Sequence, residues 1–174
     1  MSFLKRLFGQ TPDPLADWPE PPTQAPVLDL RESSVGPLRF GSSSMEARSL
    51  GRPARIGGNL ASSAELVYPG AGFSLAYEEG KLFFATYYLN PAEFDAHHAG
   101  LSSARAVIIT ADGGHHEVHS ETNAEGFVAI FGKPDSAELD EDESILEWTH
   151  GELTIEAELT AAGRAQRLNV FLTI

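Results

Sequence analysis

The sequence predicts an α+β fold: two tandem helix-plus-antiparallel-meander units forming a broad sheet with helices on one face. Three observations carry this. "SLGRPARI" (Ser49 to Ile56) is echoed by "IFGKPDSA" (Ile130 to Ala137), each closing a short helical pattern. After each echo the chain runs short strand, turn, strand, turn, long strand, with Gly163 standing where Gly80 stands. The strands also alternate cleanly. Leu153, Ile155, Ala157 and Leu159 face one way, and Thr154, Glu156 and Glu158 the other.

Residues 1–26 read as an N-terminal helix and a Pro-rich linker. Phe3, Leu4, Leu7 and Phe8 share one side of a two-turn helix, so residues 1–9 suit a weak membrane-surface contact or a patch onto the protein itself. The linker holds six of the eleven prolines and has stiff, polyproline-like character. Trp18 within it predicts that the segment lies against something apolar.

Residues 27–100 form the first α+β repeat with a connecting helix. "VGPLRFG" reads as a strand, Ser43 to Glu46 as a capping box, and Gly51 as a helix stop with Pro53 two residues beyond. The meander "ELVYPGAGFSLAYEEGKLFFATYYL" follows. Asn90, Pro91, Glu93 and Gly100 then bracket the connecting helix. Residues 101–174 form the second α+β repeat. A hairpin turns at Asp112-Gly113, "HHEVHSE" answers "VGPLRFG", Thr122 to Glu125 read as a capping box, and Gly132 with Pro134 stops the helix.

At 174 residues, folding removes roughly 70% of the unfolded chain's surface, enough for a core without staples. The absence of cysteine excludes disulfides, thiolate metal sites and a cysteine nucleophile. A net charge of −13 repels phosphate backbones, so nucleic acid is not an expected partner. No apolar run is long enough for a transmembrane segment, and "MSFLKRLFGQ" lacks the apolar run of a secretory signal. The expected location is cytoplasmic.

The two repeats differ on one face. In "KLFFATYYL" Phe83, Ala85, Tyr87 and Leu89 are assigned to the helix side, leaving Leu82, Phe84, Thr86 and Tyr88 on the other. The matching side of the last strand carries Arg167, Asn169, Phe171 and Thr173. An exposed aromatic patch of this kind asks for a cover. The candidate partner-binding residues are therefore Phe84, Thr86, Tyr88, Arg167 and Phe171, meeting a protein partner or forming a homodimer. The expected function is a non-catalytic protein-binding module, inhibitor-like or immunity-like. One alternative is a structural protein whose patch is covered by its own N-terminal tail, Trp18 included.

A helix ending in Leu50-Gly51-x-Pro53 ahead of a meander bearing Tyr68, Phe73 and Gly80 resembles the BamE/SmpA-type outer-membrane assembly lipoproteins. Its second copy, with Phe131, Gly132, Pro134, Trp148 and Gly163, resembles the two-lobed β-lactamase inhibitor protein, whose lobes present one concave sheet to an enzyme. The chain lacks the lipidated cysteine of the first and the disulfides of the second. The resemblance therefore implies a sheet-faced binding module, with neither envelope residence nor lactamase binding attached.

The remaining alternative is a small hydrolase or metal-dependent enzyme using the His-rich hairpin and paired carboxylates. "GGHHEVH" sets His115, Glu117 and His119 on one strand face and His116 on the other, but His115 and His119 stand roughly 13 Å apart. Two zinc ligands must each approach within about 2 Å, so another group such as His97 or His98 would have to help. Glu138 to Glu143 packs five acids into six residues, without the spacing of a calcium loop, and reads as a solvated loop. Glu156 and Glu158 lie about 7 Å apart on an exposed face, where carboxylates keep ordinary pKa values and Arg167 pairs across the strand. "GSSS" and "IGGN" lack the frames of a nucleophile elbow and a phosphate loop. No catalytic, cofactor-binding or metal-ligating residue is assigned, and no cofactor is expected.

Overall fold

A computed structural model of the chain describes residues 13, 15–91, 100–140 and 142–173. The fold is mostly β, with sheets of eight and five strands and short helices, so α+β fits it loosely. The eight-stranded sheet is antiparallel throughout. One half is β4 (Arg55–Gly58), β5 (Ala64–Tyr68), β6 (Phe73–Glu78) and β7 (Lys81–Tyr88). The other is β10 (Ser136–Leu139), β11 (Glu143–His150), β12 (Leu153–Thr160) and β13 (Ala165–Leu172). The halves join where β13 pairs with β7. Each meander thus has four strands where the sequence suggested three. The extra ones, β4 and β10, directly follow the two Gly-x-Pro stops and form the edges of the sheet.

The echo in the sequence is an echo in contacts. A 3₁₀ helix, Ser44–Leu50, ends at Gly51, and helix α1, Ala124–Phe131, ends at Gly132. Both glycines have positive φ, which an L side chain resists. The second strand of each meander sends an aromatic donor to that glycine's carbonyl. The Tyr68 hydroxyl donates to Gly51 at 3.1 Å, and the Trp148 indole N–H donates to Gly132 at 2.9 Å. The N-cap residues, Ser43 and Asn123, form bridges to Lys81 and Arg164, each the residue after a turn glycine, Gly80 or Gly163. Ser43 makes the expected capping box with Glu46. In the second helix the cap is Asn123, whose carbonyl oxygen accepts from Gly126, while Thr122 accepts from His119.

The five-stranded sheet is absent from the sequence reading. It comprises β1 (Leu28–Asp29), β2 (Ser34–Val35), β3 (Leu38–Arg39), β8 (Ala106–Ile109) and β9 (His115–Val118), with β1 and β8 parallel. "VGPLRFG" and "HHEV" belong here and not to the broad sheet. Leu28, Val35, Leu38, Ile108 and Val118 from this sheet join Leu66, Leu75, Tyr87, Ile155 and Val170 of the large one in a single core. The inner face of the large sheet is therefore covered by a second sheet as well as by helices. Trp18 is buried in this core, so the linker segment lies against apolar surface as its tryptophan suggests, and it runs beside the 3₁₀ helix. There the Arg52 amide donates to the Pro19 carbonyl at 2.7 Å. The N-terminal helix and most of the connecting helix lie outside the described residues. Among the described residues no helix is long and apolar enough to cross a membrane.

Tyr87 and Tyr77 point into this core, and among the described residues neither hydroxyl has a hydrogen-bond partner. Burial pushes both phenols above their usual range. An unpaired buried hydroxyl costs about 1–3 kcal/mol. Tyr87→Phe is therefore expected to hold or raise stability by about 1 kcal/mol in urea unfolding. A loss of similar size would show that the hydroxyl is satisfied.

Candidate functional site

Strand parity puts a continuous band of side chains on the outer face, away from the five-stranded sheet. The cross-strand row through its middle reads Ser136, Glu147, Glu156, Asn169, Thr86, Ser74, Val67, Arg55. The five candidate residues meet at the seam between the halves: Arg167 opposes Tyr88, Asn169 opposes Thr86, and Phe171 opposes Phe84. Phe84 and Phe171 stack with ring centroids 5.2 Å apart and planes 5° from parallel. Both are half-buried.

A bulge in β7 corrects part of the face assignment. Tyr77 pairs with Leu82 and Ala76 with Phe84, so Phe83 is the extra residue. Leu82 turns inward and is fully buried. Phe83 lies beside Phe84, with ring centroids 6.0 Å apart. Tyr88 and Thr86 face outward as expected, yet only 3% and 7% of their surface is exposed. Tyr88 shares a 3.1 Å hydrogen bond with Ser74. Its phenol is raised by burial, against the opposing pull of that bond. The patch open to solvent is therefore the Phe84–Phe171 pair with Phe83, separated from Arg167 by the Asn169–Thr86 pair.

Beneath and beside this pair runs a polar network that centres on Asn169. Its side-chain N–H groups donate to Glu156 at 2.8 Å and Glu158 at 2.7 Å, and its carbonyl accepts from Thr86 at 3.1 Å. Glu158 also accepts from the Arg167 Nε at 2.5 Å and pairs with its Nη2. Glu158 is not the exposed carboxylate that alternation alone suggests. Burial pushes its carboxyl above the ordinary range, even though Arg167 and Asn169 pull it down. Asn169 itself escaped notice as a hub. The available signal was an amide in the middle of the apolar strand "RLNVFL", level with the two glutamates.

The groups proposed for enzyme chemistry are not assembled. The His115–Val118 strand belongs to the five-stranded sheet, on the other side of the core from Glu156 and Glu158. Glu117 pairs with Arg105 at 2.6 Å, and the His119 ring accepts from the Glu121 amide at 3.2 Å. Among the described residues no three His, Asp or Glu side chains converge as metal ligands. His97 and His98 lie outside the described residues. The first residues of the acidic run, Glu138 and Leu139, are the end of edge strand β10 and not loop, with Leu139 81% exposed.

No family model matches the chain, and no curated protein matches it. It is similar to the crystal structure of a DUF4309 family protein, YjgB, from Bacillus subtilis, at 12% identity over 80% of this chain and 84% of that one, with a TM-score of 0.47. This replaces the expected resemblance to BamE/SmpA-type lipoproteins and the β-lactamase inhibitor protein. The motif behind that expectation, Gly-x-Pro after a helix, does here the stop work it does in any fold, and the units it introduces have four strands and a second sheet beneath them.

Proposed function

We propose that the chain is a non-catalytic protein-binding module, built from two tandem units, that docks a protein partner on the outer face of its eight-stranded sheet. The observation that carries this reading is the Phe84–Phe171 stack at the seam of the two halves. Half-buried aromatic residues on a rigid sheet are typical binding anchors, because they offer apolar area with little side-chain entropy to lose. The surrounding hydrogen bonds from Asn169 and Arg167 hold the platform in one geometry before any partner arrives. Glu156 and Glu158 serve this scaffold, each already accepting from the same amide.

The test is capture from the native host's lysate by wild type and by Phe84→Ser/Phe171→Ser. Tyr88 is left alone because it is buried. The variant is expected to melt as a folded protein and to lose a partner that wild type retains. A folded variant that captures the same proteins overturns the reading. A dimer that dissociates on dilution and is abolished by the same variant assigns the face to a second copy instead.

A further inference from the structure

The outer face is unevenly charged, and the imbalance lies beside the aromatic pair. Glu147 on β11 stands directly opposite Glu156 on β12, both partly exposed. Like charges in directly opposed positions of an antiparallel pair repel. Among the described residues no Lys or Arg pairs with either one. Arg167, the cation on the adjoining strand, pairs with Glu158. Asn169 satisfies one oxygen of Glu156, and among the described residues no hydrogen bond reaches the other. Glu138, on edge strand β10, adds a further carboxylate opposite Ile145. Phe171 occupies the position diagonal to Glu156, in the register where cross-strand neighbours touch.

We propose that this face takes a polypeptide segment presenting arginine, an inference that rests on the binding reading above. An arginine side chain answers both features together. Its planar guanidinium donates in a fork to carboxylates and is weakly hydrated enough to lie against an aromatic ring, which a lysine ammonium does less well. Charge complementarity also decides among the occupants. An isologous dimer through this face would bring together two copies of a chain at −13, a repulsion that a cationic segment does not meet. A cationic segment instead relieves the repulsion between the opposed glutamates, and the field of the whole chain steers it in.

The test uses the full chain and a short fluorescent peptide of alternating arginine and threonine, with lysine–threonine and glutamate–threonine counterparts, read by anisotropy. The arginine peptide is expected to bind, the lysine peptide more weakly, and the glutamate peptide not at all. Glu147→Gln/Glu156→Gln should weaken the arginine peptide by about tenfold. Glu20→Gln/Glu32→Gln removes the same charge from exposed positions elsewhere and should change it by less than about twofold. Phe171→Leu should bring the arginine and lysine peptides close to equal affinity. Equal losses in the two double variants would reduce the effect to the field of the whole chain and overturn the proposal. So would equal binding of the arginine and lysine peptides by wild type, or binding that emerges only after removal of residues 1–12. If the lysate partner is captured through Phe84 and Phe171 while the arginine peptide does not bind, the docking face stands and its cationic partner falls.

Discussion

Arg167→Met is expected to destabilise the protein by about 3 kcal/mol at neutral pH and to recover most of that loss in acid. The guanidinium is partly buried against Glu158, whose side chain is almost fully so. Removing the cation leaves a buried carboxylate with, among the described residues, only the Asn169 amide to stabilise its charge. The folded-state pKa of Glu158 already lies above its ordinary value, chiefly through burial. Without Arg167 it rises further. A carboxyl whose pKa is higher folded than unfolded holds its proton more tightly in the native state. Its contribution therefore favours folding below the unfolded value, near 4.3, and is lost as pH rises through the folded value. The gap between variant and wild type should close as pH falls through that window. What remains in acid is the lost packing of the arginine stem. Urea unfolding across a pH series measures it. Arg164→Met, which breaks a pair with Glu121 that is 60% exposed on both sides, should cost less than about 1 kcal/mol at every pH. A penalty for Arg167→Met that does not change with pH would show that Glu158 is not the group left stranded.

What was legible in the sequence is what is fixed locally. Gly51, Gly132, Gly80 and Gly163 sit at positive φ because helix stops and tight turns demand it, and that demand is written in a few neighbouring residues. The five candidate side chains fall on one face because strand parity is also local. The five-stranded sheet was not legible, since β1, β2 and β3 are two residues each, too short to show any period. The bulge at Phe83 was hidden for a different reason. "KLFFATYYL" is apolar on both parities, so nothing in it marks where the alternation slips. Burial of Glu158 and Tyr88 depends on neighbours from other strands, and in the case of Glu158 on Asn169 and Arg167 closing over it.

The Trp148 latch is where the largest single loss is expected. Trp148→Ala should cost about 3–5 kcal/mol, a substantial part of the roughly 5–15 kcal/mol that holds such a domain together. The indole is buried between helix and sheet, 5.1 Å from the Phe131 ring and 6.3 Å from that of Phe127. Its N–H satisfies the carbonyl at the helix end. Helix α1 has eight residues, too few to persist without tertiary packing, so its survival depends on this contact. Trp148→Phe separates the two roles. It keeps most of the apolar body and loses the donor, and because the Gly132 carbonyl can turn to water the expected cost is only about 1 kcal/mol. Hydrogen exchange should then show α1 amides losing protection in Trp148→Ala well before those of β12 and β13. On the other half, Tyr68→Phe removes the matching hydrogen bond to Gly51 while leaving the ring stacked on Phe73, and because Gly51 is buried and its carbonyl cannot turn to water the expected cost is larger, about 1–3 kcal/mol. A loss of several kcal/mol in Trp148→Phe would place the energy of the latch in its hydrogen bond. A small loss in Trp148→Ala would mean that the helix is held by its other core contacts, from Ala124, Phe127, Ile130 and Phe131.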